Sequence, residues 1–319
     1  MEKAGNTGAG GIYASGMGNG KPDIGSIYTG GISADCIGAG GMGAGGALAD
    51  VFRDPVLSHM LSYVEERLRP VDKLAKSGAS FPFRSRYMHS VRVLGWALRI
   101  HAAMGGGAAA RARDGGACAG AEAPATGTYP VAPAGTGAGA ATAGTDPARL
   151  QPSDGIPHSL AVAAIFHDIG YAACGAGRPE SALCHAKFSE EMLAEYALSR
   201  GLYAGRQGRR QLGEIASIIA VHSDKRLSNA VLTAEQQILM DADLLDESGA
   251  MRFAWICFCE AGKGKYDYAS AYAHMREHVG QAEKELALFH TEAGRAFGNA
   301  MLGYIRAFAD GLASELQLQ

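Results

Sequence analysis

An apolar run that ends in an imidazole and a carboxylate, AVAAIFHDIGY at residues 161–171, sets the terms for the rest of this chain. Nothing from Leu160 to Phe166 is polar, so the spacing predicts a helix that is apolar all round and buried on every side. His167 and Asp168 then sit at the end of a buried element. An ionised carboxylate taken out of water uncompensated costs several kcal/mol, and the usual remedies are a cation, a metal or a hydrogen-bond network. Gly170 is expected to let the chain turn after the pair. A His-Asp pair alone is a weak signal, and its meaning depends on the other His and Asp residues of the chain.

Composition divides the 319 residues unevenly. Residues 1–48 hold 16 glycines and few large apolar side chains, too few to offset the entropy of ordering them, so this stretch reads as a disordered Gly-rich arm. Residues 104–155 are Gly or Ala at 28 of 52 positions, which leaves no periodic apolar face and reads as a flexible insertion. The remaining parts, 49–103 and 156–319, suffice for one well-buried core split by the insertion. A net charge of −3 supplies no basic field for a nucleic-acid polymer. MEKAGNTGAGG lacks the apolar stretch of a signal peptide, and no apolar run approaches the ~20 residues of a membrane span. A cytoplasmic protein with no membrane partner is expected. None of the six cysteines has zinc-finger spacing, and Cys257 and Cys259 in WICFCE read as buried small hydrophobes in a helix.

Along the chain the period is helical. Val51, Phe52, Val56, Leu57, Met60, Leu61, Val64 and Leu68 recur at three- and four-residue steps until Pro70. His89 shares a helical face with Val93, Trp96, Ala97 and Ile100 and so points toward the core. A helix beginning near Leu183 carries His185. Another, with Leu212, Ile215, Ile218 and Ile219, places His222 over its apolar stripe. In AEQQILMDADLLDESGA, Thr233 is the expected N-cap, paired with Gln236. Asp243 shares the inward face of Leu239, whereas Asp241 is turned roughly 200° away at ~100° per residue, so one carboxylate is expected inside and the other outside. Tyr266 to Leu316 reads as two further helices, with His274, His278 and His290 as surface or packing residues. No stretch alternates as strands do. The fold class is all-α.

Several separate helices thus aim a ligand type inward: His89, His167 with Asp168, His185, His222 and Asp243. Imidazole with carboxylate suits divalent transition metals (Mn, Fe, Co, Ni or Zn) better than Ca or Mg, which prefer oxygen shells. In order and in flanking sequence the chain resembles the HD metal-dependent phosphohydrolase superfamily. FRSRYMHSVRV, AAIFHDIG, IIAVHSDK and ILMDADLLDESGA carry the likeness, and LFHTEAGRAFGNAMLGYIRAFADGLASEL is similar to the C-terminal helix pair of one hydrolase branch. The resemblance covers Phe81 to Ala250 without the insertion. It implies a helical HD-domain bundle in which His89, His167, Asp168 and Asp243 hold the principal metal. His185 and His222 would hold a second ion bridged by Asp168, or contact substrate and move protons, so one or two ions remain open.

The implied activity is hydrolysis of a small phosphorylated substrate, a nucleotide among the candidates, through metal-activated water. Arg86 and Lys225, each within a turn of a ligand, are candidate phosphate contacts, and solvated surface charge is the plain alternative for both. Other readings of the same ligand set are a di-iron HD oxygenase and a non-catalytic nucleotide-sensing HD module. Tyr171 stands where many relatives carry Lys, and Leu244 where some carry a basic residue, which leaves substrate preference open. The sequence sets no oligomeric state.

Overall fold

The computed structural model describes residues 44–74, 85–111, 157–174, 181–262, 264 and 267–317. Among these there is no strand, as the helical periodicity predicts. Most of the arm at 1–48 and of the segment at 104–155 lies outside the described residues. Helix α1 (Ala44–Arg53) nevertheless takes in the last five residues of that arm, and Leu48 is buried. Helix α3 (Arg86–Arg111) likewise runs eight residues into the segment expected to be a flexible insertion.

The apolar period from Val51 forms two helices rather than one. Asp54 separates them, accepting hydrogen bonds from the amides of Val56 and Leu57 at 2.9 and 3.0 Å and so capping α2 (Pro55–Leu74). Pro55 suits its first position, where no amide is needed. Helix α2 also continues through Pro70, where the sequence suggested a stop. Proline leaves the Glu66 carbonyl without its helical donor, but both residues are exposed and water can serve that carbonyl.

At the centre lies α4 (His158–Phe166). Every residue from Leu160 to Phe166 has no exposed surface. Such a helix has no polar face to offer solvent, so neighbours must surround it. They are α2, α3, α6 (Ser181–Ser199), α7 (Gly205–Val221) and α8 (Ala234–Ser248). A short helix, α5 (Tyr171–Cys174), follows the His167–Gly170 turn. Thr233 and Gln236 form the expected reciprocal capping box at the start of α8. Helices α9 (Ala250–Gly262), α10 (Tyr268–Glu285) and α11 (Glu292–Glu315) build a smaller apolar cluster from Phe253, Met275, Val279, Leu302 and Ile305. Cys257 on α9 is exposed, against the buried position expected for it.

The two carboxylates of α8 correct a further expectation. Asp241 does face away from Asp243, but not into solvent, because the start of α11 covers that side. Its carboxylate is fully buried and accepts hydrogen bonds from the amides of His290 and Thr291, both at 2.8 Å, and from the Thr291 hydroxyl at 2.7 Å. Gly294 completes the fit, since a Cβ there would lie 2.3 Å from the Asp241 carboxylate.

Candidate metal centre

Five elements converge beside the end of α4. The turn after it supplies His167 and Asp168, α3 supplies His89, α6 supplies His185, the C-cap of α7 is His222, and α8 supplies Asp243. His89, His167, Asp168, His185 and His222 are all buried. Their ligand atoms form two groups that share one residue: His89, His167 and Asp168, then Asp168, His185 and His222. Asp243 stands beside the first group, its Oδ1 3.1 Å from His89 Nε2 and 4.0 Å from His167 Nε2.

The turn is held rigidly. Ser189, one helical turn after His185, donates its hydroxyl to the His167 carbonyl at 2.7 Å and accepts from the Gly170 amide at 2.9 Å. Gly170 is required for close approach rather than for turning, because a Cβ there would fall 2.0 Å from the His185 carbonyl oxygen.

Hydrogen bonds behind the rings decide which nitrogen faces inward. His167 Nδ1 lies 2.8 Å from the Ala164 carbonyl and His222 Nδ1 2.6 Å from the Ile219 carbonyl. A carbonyl only accepts, so each Nδ1 carries the proton and each Nε2 of the neutral ring keeps its lone pair. His89 Nδ1 is 2.7 Å from Asp246 Oδ2, a carboxylate behind an imidazole of the kind that orients metal-binding histidines. Arg92 grips Asp246 in turn, at 2.6 and 2.9 Å. Inside the cluster the Nε2 atoms of His89 and His167 are 3.2 Å apart, and those of His185 and His222 are 3.0 Å apart.

Charge follows the same pattern. Burial pushes the His167 imidazole down to about 4, so it is neutral at ordinary pH. Burial opposes charge on His89 as well, but its hydrogen bonds to Asp243 and Asp246 outweigh this and raise it to about 10. Asp168 and Asp243 resist the upward push of burial. The imidazoles and Arg86 around Asp168, and Lys225 and His89 beside Asp243, hold both carboxyls well below the usual carboxylate range. Of His89 and His167, positive charge thus falls on His89, among carboxylates that stay ionised.

Both phosphate candidates touch these carboxylates. Arg86 donates to Asp168 Oδ2 at 3.0 Å and lies over the Tyr171 ring, 3.8 Å from its centroid, with 37% of its side chain exposed. Lys225 donates to Asp243 Oδ2 at 2.7 Å and to the His222 carbonyl at 2.5 Å. Tyr171 stacks in turn on His185, centroids 4.5 Å apart and planes 13° from parallel. His274, His278 and His290 bond to Glu260, to the Ser248 carbonyl and to Asn229, away from the cluster. A cavity of about 360 Å³ reaches the far side of Asp246 and Arg92, between α3 and α8, and includes none of the clustered ligands.

A divalent ion fits this donor set. Ligands about 2.1 Å from a Zn-like ion lie roughly 3.0–3.4 Å from one another, the range of the two Nε2 pairs. Residues 138–248 match the family model described as HD domain. That stretch, 111 of the 319 residues, is similar to an HD domain. That match takes in His167, Asp168, His185, His222 and Asp243, while His89 lies outside it and joins the others only through the fold. No curated protein and no solved structure matches the chain. HD domains bind divalent metals, and the two buried His/Asp groups here could hold such an ion.

Sequence reasoning did not single out Ser189, and it met Asp246 only as the second member of the Asp-x-x-Asp segment in the resemblance, with no role assigned. Asp246 had a signal, since it lies one turn beyond Asp243 on the same helix and therefore on nearly the same face. Ser189 stands in the same relation to His185.

Proposed function

We propose that this chain is a metal-dependent phosphohydrolase acting on a small phosphorylated substrate, a nucleotide among the candidates. The observation that carries the reading is the position of Asp168. Its Oδ2 faces His89 at 3.5 Å, while its Oδ1 faces His185, His222 and His167 at 3.5, 3.6 and 3.8 Å, so one carboxylate borders both ligand groups. His89, His167, Asp168 and Asp243 would hold one ion, and Asp168, His185 and His222 a second. A divalent ion so held acidifies bound water toward neutral pH and offsets charge on phosphoryl oxygens.

The chain's own residues do the rest. Lys225 holds one oxygen of Asp243 and so orients the other toward His89 and His167. Arg86 is the substrate-facing cation, partly exposed beside the cluster, and the Tyr171 ring keeps its plane fixed. Phe166 and Ile169, both fully buried, keep bulk water from the inner side of the cluster.

The test is metal analysis of the purified full-length protein, followed by stripping and reloading with Mn(II) or Co(II) against a panel of nucleoside mono-, di- and triphosphates. Release of phosphate or pyrophosphate only from metal-loaded protein is the expected result. Bound iron with oxygen-dependent turnover and no hydrolysis would replace the reading with the oxygenase. Nucleotide binding without turnover under any metal would replace it with the sensing module.

A further inference from the structure

Beside the cluster, α5 and the turn before it meet α6 at three successive contacts. Gly170 lies against the backbone at His185 and Ser189, Tyr171 stacks on the His185 ring, and the sulfur of Cys174, at the end of α5, sits 3.3 Å from the sulfur of Cys184. Both cysteines are partly exposed, so a small oxidant can reach the pair. Ten positions separate them in sequence, and Cys184 directly precedes His185.

We propose that Cys174 and Cys184 are a dithiol that closes reversibly to a disulfide when a hydroperoxide oxidises it. One sulfur attacks the peroxide, so an S–O bond forms, the O–O bond breaks and an alcohol or water leaves. The second sulfur then attacks the first, the S–S bond forms, the S–O bond breaks, and hydroxide departs with the second thiol's proton as water. Two thiols supply the two electrons that reduce the peroxide. A thiol reductant reverses the change by exchange.

Geometry favours this pairing. The sulfurs are already in van der Waals contact, and a disulfide needs them only about 1.3 Å closer. Side-chain rotation can supply that approach, since α6 already packs so closely on Gly170 that a Cβ there would fall 2.0 Å from the His185 carbonyl oxygen. The bond would lock α5 to α6 across the Tyr171–His185 stack and hold His185 in place. The consequence for metal retention at His185 and His222 rests on the metal reading above; the disulfide itself does not.

The test treats the folded, full-length protein with hydrogen peroxide under non-denaturing conditions, then maps peptides and titrates thiols. The expected result is one linked pair, Cys174 to Cys184, with loss of two titratable thiols and the mass of two hydrogen atoms, restored by dithiothreitol. C174S and C184S should each abolish the link and leave the remaining sulfur trappable as sulfenic acid by dimedone. A sulfinic acid with no link, a link to another cysteine, or no reaction at either sulfur would each overturn the proposal. Release of bound Mn(II) to a chelator, compared before and after oxidation, reports on His185 separately. Slower release supports the coupling, and an unchanged rate overturns the coupling while the peptide map still decides the disulfide.

Discussion

The two His groups share Asp168 and each holds one imidazole by a backbone carbonyl, yet their remaining histidines are supported in different ways. His89 is backed by the Asp246 carboxylate, which Arg92 grips, and it faces Asp243, which Lys225 grips. His185 is placed by a stacked ring and by close backbone packing against Gly170. The first support is electrostatic and raises the basicity of the ligand; the second is mainly steric and fixes position without adding charge. The groups should therefore differ in affinity for the same ion, with the His89 group the tighter.

The largest effect should come from breaking what the groups have in common. Asp168→Ala removes the shared ligand and should eliminate both ions, with a loss of at least roughly 10³-fold in kcat/KM. His222→Ala should instead remove only the second ion. Metal content by mass spectrometry would fall by one ion per chain, and activity by about 10²-fold. If His222→Ala loses every ion, the groups are one site and the contrast between them fails.

Asp246→Asn should act on one group alone. The amide cannot supply the carboxylate's charge to His89 Nδ1, so affinity at the His89 group should drop about 10- to 100-fold while the His185 group keeps its own. Competition titration with a metallochromic chelator would resolve two steps, only the tighter of which moves. Excess metal should restore most of the activity, because Asp246 acts through His89 and not on substrate. A uniform fall at both steps would show that Asp246 supports the fold rather than the ligand.

Much of this was legible from side-chain periodicity. The three- and four-residue spacing dictates helices, and it also places His89 and His222 on apolar faces, since a residue's angle around a helix follows from its number alone. What lies opposite a given angle does not follow. Asp241 was correctly turned away from Asp243, but only the packed structure shows α11 waiting on that side. Arg86 and Lys225 do lie beside the clustered side chains, yet their carboxylate partners depend on helices distant in sequence. Gly170 looked like a turn residue because close backbone approach leaves no mark in a single sequence. His89 is 78 residues from His167, beyond the reach of any local motif.

The smallest expected effect tests whether the firmness of the His89 group extends to the other face of α8. Thr291 donates its hydroxyl to Asp241 and accepts from the Gly294 amide at 2.8 Å, so it both satisfies a buried carboxylate and caps α11. Thr291→Ala should cost about 1–2 kcal/mol of stability in urea denaturation, since Asp241 keeps two amide donors. Asp243 lies on the opposite face of α8 with its own partner in Lys225, so metal affinity of the folded variant should change less than about threefold, near 0.6 kcal/mol. A larger drop confined to the His89 group would mean that Asp241 sets the register of α8 and that the tighter group depends on α11. An equal drop at both groups would mean that the C-terminal helices steady the whole cluster and that the difference in affinity arises elsewhere.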